Sequence, residues 1–154
     1  MHSKYPDKII FEPTTRCNFK CEMCVKQSAG CHIREGDMGD DVFDACSGLL
    51  KQASRVIFTG IGEPLMHQGL EACLRAAREI MPANGVRGFQ TNGKLLSNQR
   101  ALNLVESGLN CIAISVDSVD PLLFNTVRPG GELADVSQAF EAVNHARKQF
   151  PDTP

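Results

Sequence analysis

The residues best equipped for chemistry are three cysteines in the run Cys17-Asn18-Phe19-Lys20-Cys21-Glu22-Met23-Cys24. Their C-x3-C-x2-C spacing places three thiolates on one short loop, close enough to wrap a compact iron–sulfur cluster, which proteins hold through cysteine sulfurs. A [4Fe–4S] cube with three protein ligands keeps one iron open, the minimum needed for a substrate or cofactor to bind metal directly. A structural zinc site is the alternative. Zinc takes four protein ligands, and Cys31 or His32, in the loop Ala29-Gly30-Cys31-His32, would have to supply the fourth.

The chain of 154 residues contains seven cysteines, an odd and high number. In a reducing compartment such residues are metal ligands or buried apolar side chains more often than disulfides. Cys46 and Cys73 fall on the apolar stripes of helical patterns and are expected in the core, and Cys111, at the bottom of a strand, is expected to be filler. Cys31 is a catalytic candidate only through its nearness in sequence to the three clustered cysteines. Glu12 is a second catalytic candidate: an acid ending a strand either orients a substrate or pairs with a polar group on the next strand. His67 reads as packing near a helix start, His2 and His145 as surface residues, and Arg75, Arg78, Arg147 and Lys148 as solvated helix faces.

The elements that must position these residues follow from periodicity. Apolar, β-branched runs at 8–12, 55–59, 86–90 and 111–116 read as strands. Helical patterns follow each. The first, 40–51, carries Val42, Phe43, Cys46, Leu49 and Leu50 on one stripe, and the second, 68–81, does so with Leu70, Cys73, Leu74, Ala77 and Met81 before the stop at Pro82. The third runs from a Ser97 cap to Gly108, and the fourth, 133–149, turns Leu133, Val136, Ala139, Phe140 and Val143 inward. Asp120-Pro121 reads as the cap and first position of a short extra turn.

The order βαβαβαβα demands a parallel sheet with right-handed crossovers. In the fourth strand Ile112, Ile114 and Val116 alternate with Cys111, Ala113, Ser115 and Asp117, so one face is apolar and the other small or polar. A doubly wound sheet would bury both faces under helices. A barrel sends one face into a lumen, and Glu12, Thr59 and Gln90 end the first three strands with polar groups, as a site at the carboxyl end of a barrel requires. The expected fold is an α/β partial parallel (β/α) barrel, one domain over residues 1–154. Four units cannot close an ordinary barrel, and the terminal Pro151-Asp152-Thr153-Pro154 reads as the loop before another strand, so a further C-terminal portion is expected.

Composition narrows the setting. Hydrophobic residues at 42% and charged residues at 22% are ordinary for a soluble globular protein. A net charge of -2 supplies no general field for a nucleic-acid backbone, which makes such a partner an unfavoured one. No apolar run approaches a membrane span, and the first residues lack the apolar stretch of a signal peptide, so a cytoplasmic location without membrane contact is expected.

On the cysteine motif and the segments that follow the strands, the chain resembles the radical S-adenosylmethionine (radical SAM) superfamily. The resemblance runs from the first strand through the last helix. Gly60-Ile61-Gly62-Glu63-Pro64 follows strand two, where that family carries a glycine–glycine–glutamate–proline motif that binds the cofactor's amino group; Ile61 stands in place of its first glycine. Thr91-Asn92-Gly93 and Ser115-Val116-Asp117-Ser118 stand where the family faces its cofactor, the latter near the ribose. Arg128, in Val127-Arg128-Pro129-Gly130-Gly131, resembles an arginine used on the cofactor carboxylate, and Met23 occupies a usually aromatic position near the adenine.

The resemblance implies a [4Fe–4S] cluster on Cys17, Cys21 and Cys24, with S-adenosylmethionine held by Met23, Gly60, Gly62, Glu63, Asn92, Ser115, Asp117 and Arg128. It implies reductive cleavage of that cofactor to a 5′-deoxyadenosyl radical that takes hydrogen from a substrate, with the electron drawn from a flavodoxin or ferredoxin. It leans towards the subgroup with a C-terminal auxiliary-cluster (SPASM-type) domain, and so towards a peptide or protein substrate. A non-catalytic iron–sulfur or zinc module, or an inactive piece of a larger enzyme, is the competing expectation.

Overall fold

The computed structural model describes residues 5–151 and 153, so the expectation for His2 lies outside the described residues. Four strands form one sheet: β1 (Lys8–Phe11), β2 (Arg55–Phe58), β3 (Val86–Thr91) and β4 (Cys111–Ile114), all parallel and paired in chain order. A doubly wound sheet would reverse its strand order at a switch point. Here the order never reverses, and one face carries all the crossover helices, as in a barrel cut open.

Those helices are α1 (Asp40–Leu50), α2 (Leu70–Ile80), α3 (Asn98–Glu106) and α5 (Leu133–Gln149), with the short α4 (Pro121–Val127) between β4 and α5. The two expected caps form: Ser97 Oγ accepts from the Arg100 N–H, and the Asp120 carboxylate accepts from the Leu123 N–H with Pro121 at the first helical position. Alternate strand residues face the helices. Phe11 and Phe58 stack there with Phe43 of α1, ring centroids 5.1, 5.7 and 6.4 Å apart, each pair contributing about 0.5–1.5 kcal/mol beyond its buried area.

The lumen face reads in layers. Ile10, Ile57, Gly88 and Cys111 lie side by side, and one layer nearer the carboxyl end come Glu12, Thr59, Gln90 and Ala113. Parallel register therefore brings the carboxyl ends of all four strands to the same rim.

Several apolar expectations fail at the margins of the layer. α1 packs on α2, α2 on α3 and α3 on α5, so α1 and α5 each have one flank without a helical neighbour from the main row. Val42 and Leu49 on α1 and Phe140 on α5 are exposed, although the stripe pattern puts them in the core. Cys73 is buried and Cys46 half-buried as expected. Cys111 is exposed rather than filler, because it faces the lumen from an edge strand. Val116 is exposed as well, since β4 ends two residues before it.

Candidate functional site

The chain turns sharply after β1. Thr15 N–H donates to Gly36 O at 2.9 Å, and Thr14 forms an isolated antiparallel bridge with Asp37, so the segment carrying the cysteines leaves the sheet as an anchored loop. Within it Cys24 N–H donates to Cys21 O at 3.0 Å and Gln27 N–H to Cys24 O at 2.8 Å, leading into a single 3-10 turn, Val25–Gln27. This winding puts Cys17, Cys21 and Cys24 on the wall of one open cleft.

The opposite wall comes from the ends of β2, β3 and β4. Gly62 packs so tightly on the cysteine loop that a Cβ there would overlap the carbonyl oxygen of Thr14 and lie 2.5 Å from that of Arg16. Only glycine allows this backbone-on-backbone approach. The Glu63 N–H then donates to Arg16 O at 2.8 Å. Gly60 is held from below: Glu12 accepts from the Ile61 N–H at 2.6 Å, and its carboxylate fills the space a Cβ at position 60 would need. Glu12 thus pairs with the neighbouring strand's loop, the second of its two expected roles.

Glu63 is 2% exposed. Its carboxylate accepts from the Leu65 N–H at 3.1 Å, the Thr91 hydroxyl at 2.7 Å and the Asn92 N–H at 2.8 Å. Burial pushes its pKa up, while the three donors from Asn92, Thr91 and Leu65 pull the other way. A carboxylate has about four acceptor sites, so one stays available towards the cleft it lines. Asn92 continues the chain of contacts by donating from Nδ2 to Asn18 Oδ1 at 2.7 Å, which joins the rim of β3 to the cysteine loop.

On the far side Ser115 accepts from Gln90 Nε2 at 3.0 Å, and Arg128 lines the cleft while paired with Asp117. Asp117 is thereby occupied by Arg128 and sits outside the cleft lining, although the family resemblance places the two on different parts of one cofactor. Met23 is 59% exposed and also lies outside the lining. Cys31 is half-buried beyond the 3-10 turn, where its N–H donates to Ser28 O at 3.0 Å, and neither it nor His32 lines the cleft.

Lys26 is a lining residue that sequence reasoning missed. Its ammonium donates to Thr15 O at 2.7 Å and pairs with Glu35 at 2.7 Å, so it braces the loop while its stem faces the cysteines. A lysine two places after the last cysteine was the available signal. Burial pushes the Cys17 and Cys21 thiols up; the Phe19 backbone and Lys26 oppose this at Cys17, and Arg128 opposes it at Cys21. Among the described residues, no three His, Cys, Asp or Glu side chains converge tightly enough to hold a single metal ion.

The family model described as "Radical SAM superfamily" matches residues 11–153. Among curated proteins, the chain is 35% identical over 135 residues to the tungsten-containing aldehyde ferredoxin oxidoreductase cofactor-modifying protein of Pyrococcus furiosus, covering 84% of this chain and 35% of that protein. It is 31% identical over 144 residues to the GTP 3',8-cyclase of Hydrogenovibrio crunogenus, covering 88% of this chain and 41% of that protein. The chain therefore spans well under half the length of these relatives.

Among solved structures, native anSMEcpe with bound AdoMet superposes with a TM-score of 0.73 at 24% identity, over 92% of this chain and 41% of that one. BtrN in complex with AdoMet and 2-DOIA superposes with a TM-score of 0.64 at 22% identity, over 90% of this chain and 56% of that one. At these identities the two establish the shared partial-barrel fold. With the family model spanning nearly all of a chain whose three cysteines face a glycine–glutamate loop across one cleft, the protein belongs to the radical SAM superfamily, whose enzymes use a [4Fe–4S] cluster and S-adenosylmethionine.

Proposed function

We propose that Cys17, Cys21 and Cys24 hold a [4Fe–4S] cluster and that the facing wall of the cleft binds S-adenosylmethionine. The observation that carries this is the shared cleft itself, with three thiols on one side and Gly60, Gly62, Glu63, Asn92, Ser115 and Arg128 on the other. The donor set suits a cluster better than zinc: three cysteines line the cleft, and no fourth cysteine or histidine joins them there. When bound, the pair supplies one-electron cleavage of the cofactor to a carbon radical that abstracts hydrogen from a substrate.

The chain's own residues bind and orient. Gly62 brings its backbone to the cleft without a side chain in the way, and Glu63 offers its remaining acceptor site to an ammonium group. Arg128 is the cation for a carboxylate and Ser115 the acceptor for a ribose hydroxyl, whereas Asp117, paired with Arg128, and Met23, exposed outside the lining, would have to turn towards the cleft to reach the ribose and the adenine. Glu12 is a positioning residue under Gly60 rather than a catalytic one.

By their names the two curated relatives act on a cofactor and on GTP. This supports a small cofactor precursor as substrate over the peptide or protein that the resemblance alone favoured. A flavodoxin or ferredoxin is the proposed reductant, and the cytoplasm the proposed setting. All seven cysteines are free, and no helix among the described residues is long and apolar enough to cross a membrane, which agrees with that setting.

The test is anaerobic reconstitution with iron and sulfide, followed by reduction in the presence of S-adenosylmethionine. Release of 5′-deoxyadenosine is the expected result, and Cys21→Ala should abolish both cluster and release while leaving the circular-dichroism spectrum intact. An assembled cluster with no cofactor cleavage would overturn the enzymatic reading in favour of a non-catalytic module.

A further inference from the structure

The cysteine loop is gripped from a direction that the family motifs do not explain. The turn at 127–131, between α4 and α5, lies across it. Glu22 N–H donates to Val127 O at 3.0 Å and Lys20 N–H to Pro129 O at 2.8 Å, so two of the residues between the cysteines are pinned by backbone more than 100 positions away. Phe19, 4% exposed, is seated against Gly131: a Cβ on Gly131 would overlap the Phe19 ring. Gly130 has φ +100°, and a Cβ there would lie 2.9 Å from Asn18 O. Lys94 closes the arrangement. Its ammonium sits 5.9 Å from the centre of the Phe19 ring, donates to Gly130 O at 2.8 Å and lies 3.5 Å from Asp135.

We infer that this turn is a clasp that sets the shape of the cysteine loop for cluster binding, with Gly131 and Phe19 as its positioning residues. The inference rests on the reading that Cys17, Cys21 and Cys24 hold the cluster. The physical logic is that a loop of eight residues with three ligands must be held open to one geometry before metal arrives, or ordering it subtracts from the affinity. The clasp's backbone and ring contacts fall on Asn18, Phe19, Lys20 and Glu22, residues between the cysteines. A methyl group at position 131 would overlap the tip of the Phe19 ring and press it from its seat, and Phe19 is part of the loop between Cys17 and Cys21. Partners of this kind, one step behind the ligands, change metal affinity by about 10- to 100-fold.

The experiment compares wild type with Gly131→Ala, Lys94→Met and the double variant Phe19→Leu/Gly131→Ala, in two measurements. In the cluster-free chain, hydrogen exchange at the Lys20 and Glu22 amides should speed up in Gly131→Ala while amides of β2 and β3 stay protected. After reconstitution, iron loss to a chelator should be about 10-fold faster in Gly131→Ala and should return towards wild type in the double variant, where the smaller side chain makes room for the methyl. Lys94→Met, an exposed change that does not threaten folding, should speed both readouts by a smaller factor. Wild-type exchange and iron loss in Gly131→Ala would overturn the clasp, as would a double variant no better than the single one. Should Gly131→Ala not fold, unchanged readouts in Lys94→Met would overturn it alone. If wild type itself takes up no cluster, the ligand assignment fails instead, and the exchange result still decides whether the clasp holds the loop.

Discussion

The two ends of the sheet each bury a charged residue, and they use it differently. At the carboxyl end Glu63, 2% exposed, accepts from three donors on its own loop and on the rim of β3, and it borders an open cleft. At the amino end Arg87, 8% exposed, donates from Nε to Gly108 O at 2.8 Å and from Nη1 to Gly85 O at 2.9 Å. Around it Asn110 accepts from the Arg87 N–H and donates to the same Gly85 carbonyl, closing a ring of backbone contacts. Burial pushes the Glu63 pKa up and the Arg87 pKa down, so desolvation opposes both charges alike. A buried charge is thus no mark of chemistry. The difference lies in the neighbours: the Glu63 end gathers three cysteines and a tight glycine, whereas Arg87 meets carbonyls that need a donor.

If that contrast holds, damage at the carboxyl end should reach the cofactor and damage at the amino end should reach only the fold. The largest effect is expected from Gly62→Ala. Its methyl would overlap the Thr14 carbonyl, and a backbone obstacle cannot rotate away as a side chain can. Overpacking of this kind costs about 3 kcal/mol, and the displaced partner is the cysteine loop. Denaturant unfolding should show the loss, and iron content after reconstitution should fall with it. Arg87→Met should cost about 2 kcal/mol through lost charge-assisted hydrogen bonds to Gly108 and Gly85, while iron content and cofactor cleavage per folded chain stay at wild-type levels. A fall in cleavage there would break the contrast.

The contrast also separates what local sequence discloses from what it does not. The strands, the caps at Ser97 and Asp120 and the helix 133–149 follow from periodicity and capping chemistry, which act within a few residues. The cysteine motif and the Gly60–Glu63 segment are local as well, and register alone carries them to one rim. Pairings across long stretches of chain are another matter. Nothing near Asp117 says that Arg128 will neutralise it, and nothing near Phe19 points to Gly131. The exposure of Val42, Leu49 and Phe140 is equally non-local, because an apolar stripe records the helix and not the number of its neighbours.

The finest division between the two ends is in their pH response. In Glu63→Gln one buried donor, at Asn92 or Thr91, loses its acceptor to an amide N–H, a loss of about 1 kcal/mol. In the wild type burial raises the folded pKa of Glu63 above the ordinary value of 4.5, so the folded chain holds this proton more tightly than the unfolded chain does. The stabilisation from that proton is fully present below 4.5 and is lost as pH rises through the higher folded value. Glutamine has no proton to lose, so the stability advantage of wild type over Glu63→Gln should shrink as pH rises across that window. Melting temperatures of the two chains at a series of pH values measure the gap directly. A gap that widens would mean that the three donors outweigh burial and that Glu63 is a stabilised anion, ready for a cation in the cleft. Arg87→Met has no such response in the same range, because guanidinium stays protonated throughout it, and its gap to wild type should be flat.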